Sequence, residues 1–310
     1  MSVLYLVVGG ILLWGGAELF VRCSAALALR MGLTPLAVGL TVVAFGTSTP
    51  ELGVSLEATL AGLGEVATGN VVGSNIANVA LILGLAALIR PFDVRGQLVR
   101  VDVPIVVGAS VVVAFLFRDG TLGRAAGVLL LAALAGYVAW QLRKVRLVPE
   151  DAAPTHVGEK AATRPLPLVS FLALVGLGVL ALGAHALVTG AAHLAAGLGV
   201  SPAVIGLTVV AVGTSLPELA TSVVAASRGE GDIAVGNVVG SNTFNLLGIL
   251  GVCAVARPVS RGDVGPADFG VMIALSLVMM LFMRTGCRLS RREGALLLAA
   301  YAGYLWWLVT

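Results

Sequence analysis

The sequence predicts an all-α membrane protein: ten transmembrane helices arranged as two inverted five-helix repeats. Three observations predict it. The 310 residues are 58% hydrophobic and only 11% charged, with a mean hydropathy of +1.03, whereas a soluble domain carries about 25% charge. Residues 39–91 return without a gap at 206–258, an offset of 167, with 31 of 53 positions identical. Most Lys and Arg fall on one side of the spans that the apolar runs define, which fixes orientation.

The spans follow from apolar runs of about 20 residues, the length a helix needs to cross. They are placed at 2–21, 34–61, 66–89, 103–117, 123–142, 166–190, 200–227, 232–256, 268–283 and 293–309. The first lacks a basic start and a small-residue cleavage site, so it is expected to be retained rather than cleaved. Those at 34–61 and 200–227 are overlong, and each carries Gly-Thr-Ser-x-Pro in its middle, so a tilt or a break is expected there. The domain reading is a first repeat at 1–142, a hydrophilic linker at 143–165 and a second repeat at 166–310.

With these spans, 15 of the 19 Lys and Arg lie on one side, and only Arg118, Arg124, Arg257 and Arg261 on the other. The richer side is the cytoplasm, which makes the linker cytoplasmic and puts both termini outside, in the plasma (inner) membrane of a prokaryote. Five spans per repeat is an odd number, so the second copy enters from the opposite face. The net charge of +3 and a pI of 9.0 are then orientation signals, not a nucleic-acid surface. Cys23, Cys253 and Cys287 have no metal or redox spacing. Neither H-E-x-x-H nor G-x-S-x-G occurs, so neither catalytic residues nor a cofactor are expected and an enzyme is disfavoured.

The polar residues inside the repeat carry the chemistry. Thr47, Ser48 and Glu51 share a helix face, as do Thr214, Ser215 and Glu218. Pro50 and Pro217 lack the N–H that would bind the carbonyl four residues earlier, which loosens carbonyls around Ala44, Gly46 and Thr47 and around Ala211, Gly213 and Thr214. The next helices add Ser74 with Asn78, and Ser241 with Asn245, each four apart. All these donors are oxygen, the preference of hard cations such as Ca2+, Mg2+ and Na+. Two carboxylates match one divalent ion, two protons or a few Na+. The plainer reading of a single hydroxyl is a bond to its own backbone. For an intramembrane Glu no such plain reading exists, because burying its charge is costly. The pairs Gly69–Gly73 and Gly236–Gly240 read as close helix packing. Glu18 and His185 hold the same repeat position and read as helix-end or interfacial groups. Glu65 and Asp232 read as acids at helix N-termini.

Gly-Thr-Ser-x-Pro-Glu followed by Gly-Asn-x-x-Gly-Ser-Asn-x-x-Asn, in two copies, resembles the α-repeats of the sodium/calcium exchanger family within the calcium/cation antiporters. The resemblance implies an antiporter that exchanges Na+ for Ca2+ by alternating access. The ion cluster would lie between the second, third, seventh and eighth helices, with the first and sixth sliding across it. It implies that Glu51 and Glu218 bind Ca2+, and that Thr47 and Thr214 offer carbonyls to Ca2+ and Na+. Ser48, Ser215, Ser74 and Ser241, with the carbonyls of Ala44 and Ala211, would line flanking Na+ sites, and Asn78 and Asn245 would complete the middle. Two departures narrow the branch. Asn245 stands where potassium-dependent relatives carry Asp. Gly73 and Gly240 stand where proton-coupled relatives carry Glu, which leaves a Ca2+/H+ antiporter as the alternative and H+ as a competitor for the site.

Overall fold

The computed structural model describes residues 2–31, 33–145, 163–197 and 211–309. Most of the expected linker (146–162) and the first part of the expected span 200–227 lie outside the described residues. The rest is almost entirely helical. In chain order the helices are α1 (Ser2–Met31), α2 (Pro35–Thr47), α3 (Thr49–Ala61), α4 (Gly64–Ile89), α5 (Leu98–Leu116), α6 (Arg124–Val145), α7 (Leu166–Gly197), α8 (Ala211–Thr214), α9 (Leu216–Ser227), α10 (Gly231–Ala256), α11 (Pro266–Arg284) and α12 (Arg291–Val309). Among the described residues seven helices are long and apolar enough to cross a membrane, and eight if the bent pair α2–α3 counts as one span. The expected span 293–309 is α12, whose first turn holds Arg291, Arg292 and Glu293.

Several helices run past their expected ends. The first reaches Met31 instead of residue 21, the sixth Gly197 instead of 190, and the fourth begins at Leu98 instead of 103. Charged and small residues near the ends, such as Arg22 and Arg100, made the apolar runs look shorter than the helices. These residues keep helical hydrogen bonds while their side chains reach past the hydrocarbon.

Glycine positions decide which helices touch. On α1 and α7, a Cβ at Gly9 would lie 2.6 Å from the Leu187 nitrogen, one at Gly16 2.5 Å from that of Leu180, and one at Gly176 2.8 Å from that of Phe20. The two helices therefore run antiparallel with their backbones in direct contact, the packing that small residues permit where lipid offers no hydrophobic drive. This pair is peripheral: only 22% and 28% of the crossing windows of α1 and α7 are buried, against 72% for α4 and 83% for α10. The two most buried helices are those carrying the repeated Gly-Asn-Val-Val-Gly-Ser-Asn.

Two short ladders tie the loops together. β1 (Phe92–Asp93) pairs antiparallel with β4 (Arg288–Leu289), and β2 (Thr121–Leu122) with β3 (Val259–Ser260). The first joins two loops that both belong to the Arg-rich side, the second two loops of the Arg-poor side. Helix ends are matched across the repeats as well. α3 ends at Gly62, which is left-handed at φ +88°, and α9 is followed by Gly229 at φ +85°. Arg257 lies over Gly62, and Arg90 lies over Gly229 and donates to the Ser227 carbonyl at 3.2 Å. A guanidinium at a helix C-terminus complements the helix dipole.

Asp102 was passed over at the sequence level. It is fully buried near the start of α5, accepting from Gln141 Nε2 at 2.6 Å and Tyr137 Oη at 3.1 Å, both on α6. Asp268 and Tyr304 form the corresponding contact between α11 and α12 at 3.0 Å.

Candidate cation site

The site forms where two helices break. α2 and α3 meet at 45° across Ser48, whose φ −83° and ψ 7° leave the helical region. Pro50 removes the donor that the Gly46 carbonyl would otherwise use. α8 and α9 meet in the same way at Ser215, with φ −88° and ψ 7° and Pro217 two residues on. The break expected from Gly-Thr-Ser-x-Pro is thus present at the Ser in both copies. Each break aims its serine at the other copy's carboxylate. Ser48 Oγ donates to Glu218 Oε1 at 2.7 Å, and Ser215 Oγ to Glu51 Oε1 at 3.1 Å. Both glutamates are only 1% exposed.

The second oxygen of each glutamate is the informative atom. Glu51 Oε2, Glu218 Oε2, Asn78 Oδ1 and Asn245 Oδ1 are buried and meet no hydrogen-bond donor among the described residues. No ion pair among the described residues involves either glutamate. An unpaired buried acceptor costs about 1–3 kcal/mol and a bare charge more. Four such oxygens, two of them from carboxyl groups, suit a dehydrated hard cation. Both amides sit where their helices loosen: π turns span Asn78–Ile82 in α4 and Phe244–Ile249 in α10. Such turns inside α-helices are frequent at functional sites.

The other expected residues fall as follows. Thr47 is fully buried and its hydroxyl lies 3.3 Å from the Ala44 carbonyl, whereas Thr214 is partly exposed. Ser74 Oγ is 3.2 Å from Ser215 Oγ, and Ser241 Oγ donates to the Ala44 carbonyl at 3.4 Å. That carbonyl also takes the Ser48 N–H at 3.0 Å, so it is already engaged. Asn78 Nδ2 donates to Asn242 Oδ1 at 3.0 Å. Ala211 opens the short α8, one turn before Ser215.

Sequence reasoning passed over Asn70 and Asn237 within the Gly-Asn motif. Asn237 Nδ2 donates to the Glu218 carbonyl at 3.3 Å and to Ser222 Oγ at 2.9 Å, and its Oδ1 accepts from Thr47 at 3.1 Å. Asn70 makes the same contacts to the Glu51 carbonyl (3.3 Å), Ser55 (2.9 Å) and Thr214 (3.3 Å). The available signal was that both occupy repeated polar positions on apolar helices, where an amide needs a partner.

Buried oxygen ligands between broken helices, inside a bundle of membrane-crossing helices, fit a membrane carrier of hard cations. The sequence profile of the family described as sodium/calcium exchanger protein matches residues 1–143 and 168–310. Inner membrane protein YrbG of Escherichia coli (strain K12) is 36% identical over 313 residues, covering 98% of this chain and 94% of its own. Sodium/calcium exchanger MaX1 of Methanosarcina acetivorans is 32% identical, covering 98% and 97%. The solved sodium-calcium exchanger NCX_Mj, soaked with 2.5 mM Na+ and 0.1 mM Ca2+, superposes with a TM-score of 0.85 at 32% identity, covering 98% of this chain and 97% of that one. The chain belongs to the sodium/calcium exchanger family, and is therefore a membrane transporter of the cation antiporter type.

Proposed function

We propose that the protein is a secondary antiporter that exchanges Na+ for Ca2+ across a prokaryotic plasma membrane by alternating access. One observation carries the reading: two buried carboxylates, each held by the other copy's serine, keep one oxygen apiece without a donor. Their two negative charges balance one Ca2+ or are shared among Na+ ions. Empty and charged, they would oppose crossing in a low-dielectric interior, which favours exchange over leak. The ligands are Glu51 and Glu218, with Thr47, Thr214, Ser48, Ser215, Ser74, Ser241, Asn78 and Asn245, and with the backbones of Ala44 and Ala211. The Ala44 carbonyl joins only when its present donors turn away.

The proposed architecture is ten spans in two inverted repeats, 1–142 and 166–310, joined by a cytoplasmic linker at 143–165, with both termini outside. The two ladders support this placement, because each pairs loops that charge counting puts on the same side. The test is uptake of radiolabelled Ca2+ into proteoliposomes under imposed Na+, K+ or H+ gradients. Uptake driven by an outward Na+ gradient, indifferent to K+, is the expected result. Uptake driven only by a proton gradient would replace Na+ with H+ as the coupling ion. Unsaturable flux without counterflow would remove the antiporter reading.

A further inference from the structure

Asn242 takes no part in the reading above, yet it decides how one of the proposed ligands is turned. Asn78 lies one turn after Ser74 on the same face of α4. Ser74 Oγ is 3.2 Å from Ser215 Oγ, the hydroxyl that donates to Glu51. Asn78 is thus on the face of α4 that reaches the carboxylates. It is buried, and its Oδ1 meets no donor among the described residues. Asn242 lies opposite on α10 and is fully buried.

A primary amide is ambiguous as a cation ligand. Its last torsion is broad and two-fold, so half a turn exchanges oxygen for NH2 at little intrinsic cost. The oxygen binds a cation, whereas the NH2 presents two partly positive hydrogens to it. A neighbour must choose between the ends, and Asn242 does so through two contacts. The Asn75 carbonyl can only accept, and it lies 3.5 Å from Asn242 Nδ2. That contact is long, but the reverse orientation would set two oxygens against each other. Asn242 Oδ1 is therefore turned to Asn78 and takes its Nδ2 at 3.0 Å. With the nitrogen engaged, the oxygen is the end of Asn78 left for the site. The hold is one-sided. Asn75 has the same repeat position as Asn242, but it donates to the Val71 carbonyl of its own helix at 2.7 Å, and its Oδ1 meets no donor among the described residues.

We infer that Asn242 is a positioning residue for cation binding: by accepting from Asn78 Nδ2, it keeps Asn78 Oδ1 turned to the ion. The inference rests on the proposed reading of Asn78 as a ligand of the antiporter. A group behind a ligand fixes the ligand's orientation. Without Asn242, the carboxylates of the ion-free site would draw the NH2 end of Asn78 inward, since they accept from N–H. An arriving cation would then have to turn the amide before binding. This weakens Ca2+ and Na+ alike.

The experiment uses the full chain with Asn242→Ala, Asn78→Ala and the double variant. It reads stabilisation of the purified protein against heat as Ca2+ or Na+ is titrated, beside Na+-driven Ca2+ uptake in proteoliposomes. Asn242→Ala is expected to raise half-saturating Ca2+ roughly 10-fold, the usual effect of removing a group behind a metal ligand, and to raise half-saturating Na+ as well. In the Asn78→Ala background the same change should add less than about 2-fold. Additive effects give Asn242 a packing role only and overturn the inference, as does unchanged half-saturation in Asn242→Ala. Unchanged binding by Asn78→Ala overturns it too, because no ligand is then left to position. If Asn242→Ala is too unstable to purify, Asn242→Asp is read in its place. Asp still accepts from Asn78, so this variant should bind Ca2+ at least as tightly as the wild type, and weaker binding overturns the inference. Wild-type protein without Na+-driven uptake overturns the exchange reading itself, while the shifts in Ca2+ binding still test Asn242.

Discussion

Ser48 and Glu218 stand 170 residues apart in the chain and 2.7 Å apart in the fold. The mirrored contact, Ser215 to Glu51, closes a separation of 164 residues to 3.1 Å. Neither carboxylate is completed within its own repeat, so the site exists only when both copies meet. Replacing Glu218 or Glu51 by Gln keeps an oxygen for the serine and removes the charge. Removing one partner from a buried charged set costs about 3–5 kcal/mol, which is more than 100-fold in affinity. Either variant is expected to lose Na+-driven Ca2+ uptake and Ca2+-dependent thermal stabilisation. The ion-free protein should be no less stable, since a buried unpaired charge has been deleted. Wild-type uptake by either variant would remove that glutamate from the site.

Protons and Ca2+ need the same atoms. Protonating Glu51 or Glu218 occupies Oε2, the oxygen without a donor, and removes the charge that holds a divalent ion. Acidification is therefore expected to raise the KM for Ca2+ and leave the maximal rate at saturating Ca2+ unchanged. The coupling is reciprocal, so Ca2+ binding expels protons. Adding Ca2+ to purified protein in weak buffer should acidify the solution, and the Glu51→Gln/Glu218→Gln double variant should not. Uptake that loses maximal rate at constant KM would place the sensitive group elsewhere.

Much of this was legible in the sequence because the repeat duplicated polar residues where lipid tolerates few. The two broken helices and the two glutamates followed from Gly-Thr-Ser-x-Pro-Glu, and the family from that motif together with Gly-Asn-x-x-Gly-Ser-Asn-x-x-Asn in two copies. Asn70 and Asn237 were hidden because an amide between two glycines reads as part of a packing motif, and its partners lie 15 and 144 residues away for Asn70. Asp102 was hidden for a related reason: its partners sit on the next helix, and Gln141 has no counterpart in the other half, where Leu308 stands. Helix ends were underestimated because hydropathy measures the hydrocarbon, not the length of the helix.

At Gly240 two helices meet closely beside the site. A Cβ there would lie 2.6 Å from the Leu40 carbonyl oxygen and 2.7 Å from Ala44 Cβ, so α10 is pressed against α2. Gly240→Ala is expected to destabilise the purified protein by about 1–3 kcal/mol, the usual cost of overpacking. Unchanged thermal stability in this variant would mean that α10 and α2 do not pack this closely.

At Glu18 the two halves differ in charge. Its carboxylate lies 2.5 Å from Arg22 on its own helix and 2.7 Å from Arg228 beyond the end of α9. Glu18 therefore bridges α1 and the end of α9 through Arg228. The matching positions in the other half are His185, Thr189 and Ala61, so the sequence of that half cannot repeat this bridge. The arginines are about half exposed, which limits the bridge to about 1 kcal/mol or less. Glu18→Gln should lower thermal stability slightly at low salt, with the difference vanishing near 1 M salt, where screening acts within about 3 Å. Its rate of Ca2+ uptake at low and high salt should match the wild type; a slower rate at both would give Glu18 a part in transport beyond the bridge.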